Sequence, residues 1–206
     1  MGYLGGGKGV LPLSPDTFAG REITTDTLLI AEMAGTVPCR VCFDLGTGTG
    51  EILRNTDFLN KGVFTVGIDI SHDALRLFDR TAGQPVLCGV NAISSVFRKA
   101  CADLVLANPP YNIAGEGRAS IDPLRQEART GNPLLLYRFI FAAAYLLRSG
   151  GHFIISGRKE RAEEIRTGLY AAGFSQIERS ERGRVLAVKA LMERSWPSEY
   201  CRSIIC

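Results

Sequence analysis

No apolar run in this 206-residue chain is long enough to cross a bilayer. The longest, Phe139 to Leu147, falls far short of the roughly 20 residues a spanning helix needs. Met1 to Val10 is glycine-rich and has no apolar h-region, so no secretory signal is read there. These absences point to a soluble, cytoplasmic protein with no membrane partner. Of the six cysteines only Cys39 and Cys42 have the C-x-x-C spacing, and no second pair completes a zinc site. The pair falls inside a predicted strand, where residues three apart face opposite sides of a sheet. Buried structural thiols are expected, and no metal. Internal repeats and low-complexity segments are also missing. Neither sign of charge dominates: the net charge of +3 permits a nucleic-acid partner without requiring one.

The length fits one domain with a full core, and 46% hydrophobic against 22% charged residues is an ordinary globular balance. Residues 1–20 carry Gly5, Gly6, Gly7, Gly9, Pro12 and Pro15 and read as loop. A domain over 21–194 and a tail over 195–206 complete the division. A helix capped by Thr24 or Thr25 runs to about Met33. Strands and helices then alternate. Cys39–Leu45 is read as a strand and Glu51–Asn60 as a helix. Val63–Ile70 is a strand followed by a helix capped at Ser71. Pro85–Val90 and Ala102–Ala107 are further strands, and 112–131 is a polar loop. Leu134–Arg148 is a helix ended by Gly150 and Gly151. His152–Ser156 is a strand and Glu160–Ala172 a helix. Phe174–Arg179 and Val185–Leu191 close the chain. Apolar strands separated by helices imply an α/β fold, a parallel sheet covered on both faces. The short link over Ser180–Arg184 allows only an antiparallel last pair.

Asp44-Leu45-Gly46-Thr47-Gly48-Thr49-Gly50 follows the first strand, where open α/β sheets bind ligands. Gly46 and Gly48 allow a sharp turn and close approach, and Gly50 allows the next helix to pack tightly. The spacing is G-x-G-x-G, not the G-x-G-x-x-G of dinucleotide loops. Asp44 suits a cationic amino-acid moiety better than a phosphate. At the end of the second strand Asp69 can accept from both hydroxyls of a ribose, and Ile70 can lie against an adenine ring. Asn91 can pair with the adenine edge. The plain alternative is that Asp44 and Asp69 cap turns and that Asn91 caps a helix.

Asn108-Pro109-Pro110-Tyr111 leaves the fourth strand at the same edge. Its chemistry suits a planar –NH2 group, whose nitrogen must pyramidalise before it can attack a methyl carbon. The Asn108 side-chain oxygen and the Pro109 carbonyl can accept from its two N–H bonds. Proline brings no competing N–H and fixes φ. Tyr111 offers a stacking ring. No strong base is needed when the electrophile is a sulfonium, so alignment and fixed hydrogen bonds carry the rate. A plain Pro-Pro turn is the alternative.

With these motifs the sequence resembles the class I S-adenosylmethionine-dependent methyltransferases, in the group with an Asn-Pro-Pro-Tyr motif. Phe43 to Gly50, Gly67-Ile68-Asp69-Ile70, Asn108 to Tyr111 and Leu146 to Phe153 carry the likeness, which covers roughly residues 21 to 192. The resemblance implies a Rossmann-like, doubly wound, seven-stranded, mostly parallel sheet of order 3-2-1-4-5-7-6 with strand 7 antiparallel. It implies S-adenosylmethionine as cofactor and S-adenosylhomocysteine as product. Asp44, Gly46 and Gly48 then belong near the methionine part and Asp69 on the ribose, with Thr47 and Gly50 also counted as cofactor-binding. Asn108 and Pro109 belong at the acceptor nitrogen. Asp26-Thr27-Leu28-Leu29-Ile30 is similar to a D-T-x-L-L segment of the eukaryotic and archaeal release-factor glutamine methyltransferases and to a segment of bacterial tRNA adenine methyltransferases, and the first likeness places Thr27 near the cofactor. Ile30 departs from the last leucine, and many relatives have Asp where Asn91 stands. No helical domain of the bacterial release-factor enzymes precedes residue 21, which argues against that branch.

Four targets stay open. An RNA enzyme acting on the 6-amino group of adenine comes first, supported by Arg118, Arg125 and Arg129 and by the basic group Arg158, Lys159, Arg161 and Arg166. A solvated loop with ordinary salt bridges is the alternative for the first group, and mere decoration of a helix for the second. A protein glutamine methyltransferase acting on a release factor is second. A cofactor-binding scaffold without turnover is third. A DNA enzyme, which would have to flip its base, lacks a separate recognition domain here.

Overall fold

The computed structural model describes residues 23–58, 60–110 and 133–194. The glycine-rich start, Tyr111, the arginines at 118, 125 and 129, and the tail from 195 lie outside the described residues.

The described elements run in the expected alternation. They are α1 (Thr25–Gly35), β1 (Val41–Leu45), α2 (Glu51–Arg54), β2 (Phe64–Asp69), α3 (His72–Arg76) and β3 (Gln84–Leu87). After a 3₁₀ turn at Val90–Ala92 come α4 (Ile93–Val96), β4 (Ala102–Ala107), α5 (Pro133–Leu146) and β5 (Leu147–Arg158). A second 3₁₀ turn at Lys159–Arg161 leads into α6 (Ala162–Ala171), β6 (Phe174–Arg182) and β7 (Val185–Met192). One seven-stranded sheet forms, in the order β3-β2-β1-β4-β5-β7-β6. β1 to β5 pair in parallel, and β7 runs antiparallel to both β5 and β6. This is the order the resemblance implied.

Strand alternation divides the core in two. Phe43, Leu45, Val66, Ile68, Val105, Ala107, Phe153 and Ile155 pack with α5 and α6 on one face. Cys42, Leu104, Leu106 and Ile154 pack with α1 and α2 on the other. The even-numbered positions of β1, β4 and β5 therefore look toward α1 and α2. Asp44, Asn108 and Ser156 continue that series.

Local chemistry sets several boundaries. The Thr24 side chain accepts from Thr27 N–H and starts α1, and Ser71 accepts from Ala74 N–H and starts α3. The β6–β7 link is only Gly183-Arg184, with Gly183 at φ +58°, so the strands run further into the hairpin than expected.

Other boundaries differ from the sequence reading. The helix expected over Glu51–Asn60 is a single turn, because Asn55 takes the capping position and hydrogen-bonds back to Glu51. The third strand stops at Leu87, not Val90. Gly150 and Gly151 do not end a helix. They lie inside β5, beside a register shift between Ala102 and Leu104 of β4, with Gly150 at φ +79°. Pairing with β4 and β7 outweighs the local helix-stop signal. Cys39 precedes β1 and is half-buried, whereas Cys42 is buried within it.

Candidate active site

The glycine loop turns at the carboxyl end of β1 and is clamped to β2: Gly46 and Thr47 N–H both donate to the Ile68 carbonyl, at 2.8 and 2.9 Å. Gly46, Gly48 and Gly50 have φ of +73°, +58° and +86°, which L side chains adopt only with strain. The Phe78 ring wedges beside the loop. A Cβ on Gly50 would meet it at 2.8 Å, and one on Gly67 would meet it at 2.5 Å and Thr47 at 2.8 Å.

Asp44 is fully buried under this loop. Thr47 Oγ1–H donates to its Oδ2 at 2.7 Å, but its Oδ1 has no partner among the described residues. Burial raises its carboxyl to about 7, against the Thr47 hydrogen bond and with a further push from Asp69. An orphaned buried carboxylate oxygen suits a cation arriving from outside.

Asp69 holds the loop in place. Its Oδ2 accepts from Gly48 N–H at 2.8 Å and its Oδ1 from Ser71 N–H at 2.7 Å. Each oxygen keeps a second lone pair. The Ser71 bond makes Asp69 a turn-capping side chain, as the plain alternative had it, and the Gly48 bond ties the glycine loop to the same carboxylate.

Two cavities flank the loop. One, of about 330 Å³, is lined by Gly46, Asp69, Ile70, Val90, Asn91 and Asn108, with Pro110 at its margin. The other, of about 350 Å³, is lined by Thr27, Gly46, Thr47, Gly48 and Asn108. Gly46 and Asn108 border both. Ile70 is 56% exposed, an apolar side chain presented to the first cavity's mouth. Asn91 sits in the 3₁₀ turn and caps nothing: α4 starts from Ala92 without a side-chain cap. Thr27 is buried, its hydroxyl 3.0 Å from that of Thr24. Asn108 Oδ1 accepts from the Ser156 hydroxyl at 2.9 Å. Pro109 is buried and Pro110 exposed.

No family model matches the chain. It is 28% identical over 182 residues to the release factor glutamine methyltransferase of Salmonella typhimurium, covering 82% of this chain and 65% of that protein. To the protein of the same name from Bradyrhizobium diazoefficiens it is 32% identical over 166 residues, covering 71% and 52%. The chain thus spans just under two-thirds of the first of these relatives and about half of the second. Among solved structures, TrmN from Thermus thermophilus superposes with a TM-score of 0.58 at 20% identity, over 82% of this chain and 48% of that one. The T. thermophilus 16S rRNA N2 G1207 methyltransferase RsmC, solved with AdoMet and guanosine, gives 0.60 at 19%, over 84% and 40%. The chain has the class I methyltransferase fold. The curated relatives lie in the bacterial release-factor branch, which the sequence reading set aside.

Within the methyltransferase fold, the sequence reading missed Leu135, Arg138 and Phe139 of α5, which wall the first cavity. A Cβ on Gly46 would touch the Phe139 ring at 3.3 Å, so the helix seals the loop from the far side. α5 lies well beyond the motif that ends at residue 111, and no local pattern ties it to the glycine loop. Ser156 was missed for the same reason.

The basic group after β5 is largely neutralised within the chain. Lys159 pairs with Glu181 at 2.6 Å, Arg161 with Glu164 at 2.8 Å and Arg166 with Glu163 at 2.5 Å. Arg158 is half-buried and acts on Asp26, whose carboxyl burial raises and Arg158 lowers. Burial, with Asp103 adding to it, pushes the Cys39 thiol up to about 11, so it is no ready nucleophile. No cluster of three metal-ligating side chains occurs among the described residues. No helix among them is long and apolar enough to cross a membrane.

Proposed function

We propose that the chain is an S-adenosylmethionine-dependent N-methyltransferase whose acceptor is the side-chain amide of a glutamine in a release factor. One observation carries the reading: Gly46 of the loop and Asn108 of the Asn-Pro-Pro turn border both cavities, so the donor-side and acceptor-side signatures meet in one crevice. The named relatives and the internal pairing of the basic group favour a glutamine amide over a nucleic-acid base.

The residues fit the cofactor. The orphaned Oδ1 of Asp44 suits its ammonium end, with Thr27, Thr47 and Gly48 around the second cavity. Asp69 has lone pairs left for ribose hydroxyls, and Ile70, Val90 and Asn91 line the first cavity at the adenine end. When bound, the cofactor supplies a methyl group activated by a sulfonium. Asn108 Oδ1 accepts one N–H of the acceptor amide and the Pro109 carbonyl accepts the other, which favours the pyramidal nitrogen. Phe139 and the Pro110 margin narrow the crevice and exclude water.

The test incubates the full chain and tritiated cofactor with a full-length release factor, a Gly-Gly-Gln peptide, and fractionated RNA and DNA. Label on glutamine is expected. Asn108→Ala should lower transfer by about 100-fold or more while leaving product affinity unchanged. Label on RNA alone would reject the glutamine acceptor.

A second reading, the 6-amino group of adenine in RNA, is favoured by Arg138 at the first cavity and by Arg158, neither ion-paired among the described residues. It predicts transfer that falls steeply with salt. A cofactor-binding scaffold predicts product uptake with no label in any pool.

A further inference from the structure

We propose that Ser156 is a positioning residue: its hydrogen bond holds the torsion of the Asn108 amide, and with it the place of Oδ1 at the acceptor nitrogen. The inference rests on the N-methyltransferase reading above. An asparagine amide has two unlike ends, an oxygen that accepts and an –NH2 that donates. Its terminal torsion is broad and roughly two-fold, so the backbone alone does not choose between them. The chemistry does need a choice. The oxygen draws in an N–H of the acceptor; the –NH2 would confront that N–H with a second donor.

The sheet supplies a hold on that torsion. Ala107 of β4 pairs with Ile155 of β5 in parallel register. The next residues, Asn108 and Ser156, therefore leave the pair side by side and on the same face. Ser156 is fully buried, and its hydroxyl donates to Asn108 Oδ1 at 2.9 Å. One lone pair of Oδ1 is used, and the other remains for the acceptor. Ser156 itself is held on its other side by the antiparallel pairing of β5 with Ala187 of β7. The hydroxyl thus stands on a paired central strand, not on the Asn-Pro-Pro turn that it orients. Ser156 lines neither cavity and reaches the crevice through Asn108.

The test compares the full chain with Ser156→Ala, Ser156→Thr, Asn108→Ala and the double variant. The first readout is S-adenosylhomocysteine affinity by calorimetry, and the second is transfer to the release factor. Ser156→Ala should keep product affinity and acceptor KM and lose about 10- to 100-fold in kcat, as a misoriented group does. Ser156→Thr keeps the hydroxyl and should retain most of the activity. The double variant should be no slower than Asn108→Ala, because the two act as one unit. A wild-type kcat in Ser156→Ala, equal losses in the Ala and Thr variants, or additive losses in the double variant would overturn the assignment. A wild-type chain that takes up product yet labels no pool overturns the methyl-transfer reading, and the role of Ser156 falls with it.

Discussion

Two buried carboxylates, at opposite ends of neighbouring strands, handle burial in opposite ways. Asp103, at the amino end of β4, is 8% exposed and saturated with partners. Its Oδ2 accepts from Arg40 and Val41 N–H at 2.6 and 3.0 Å, and Arg148 pairs with its Oδ1 at 2.5 Å. Asp44, at the carboxyl end of β1, is 0% exposed and keeps one oxygen empty. Cavity size misleads here. The cavity beside Asp103, at about 820 Å³, exceeds either cavity at the glycine loop. A carboxylate that already has its donors ties strands together. Asp44 lacks a donor that a cationic ligand would supply, although it lies beneath the loop and lines neither cavity.

Breaking Asp103 should produce the largest stability effect. Asp103→Ala leaves two backbone N–H groups and Arg148 without their acceptor, and should lower stability by about 2–4 kcal/mol. The urea midpoint measures it, and product affinity should hold. Asp44→Asn should do the reverse. It should leave the urea midpoint at pH 7.5 no lower, and weaken S-adenosylhomocysteine binding about 10- to 100-fold, the worth of one charge-assisted contact. If Asp44→Asn unfolds the chain and binds normally, the contrast between the two carboxylates is wrong.

The pH dependence sharpens the contrast. The Asp44 carboxyl rises from an ordinary 3.8 to about 7 in the fold. Between about pH 4 and 7 the unfolded chain gives up a proton that the folded chain keeps. The contribution of Asp44 to stability is therefore full below pH 4, falls across that window, and is level above it. A cationic ligand favours the ionised form, so binding should release a proton below pH 7. Affinity for S-adenosylhomocysteine should climb from pH 5.5 to 7.5. Calorimetry in buffers of different ionisation enthalpy should detect the released proton, and Asp44→Asn should flatten the profile. A flat wild-type profile would remove Asp44 from ligand binding. The smallest effect should be Arg148→Ala. Arg148 is 59% exposed, so its pair with Asp103 is screened and its loss should lower stability by less than about 1 kcal/mol.

What sequence reasoning reached, and where it stopped, follows from the range of each signal. β4 was legible to the residue, because Ala102 to Ala107 is apolar throughout and Asn-Pro-Pro ends it. Asp44, Gly46, Gly48, Asp69 and Asn108 were legible as candidates because each sits at or just past the carboxyl end of a strand; Gly46 and Asn108 border both cavities, whereas Asp44 lines neither. Residues Gly150 and Gly151 misled, because local glycines say that a helix stops there, while Leu147 already pairs with Ala102 of β4 and Gly151 with Met192 of β7. Asn91 was placed at a strand end and lies in a 3₁₀ turn, since the chain leaves the sheet at Leu87.

The amino-acid sequence by itself determined the alternation of elements, the left-handed glycine loop and the Asn-Pro-Pro turn. All three are short-range: hydrophobic period, φ permitted to glycine, φ fixed by proline. Only the tertiary structure decided that Phe139 seals the loop, that Asp44 keeps an empty oxygen and that Ser156 stands beside Asn108. Those facts depend on which strands pair and in what register, and register joins residues about fifty positions apart that carry no mark of each other in the chain.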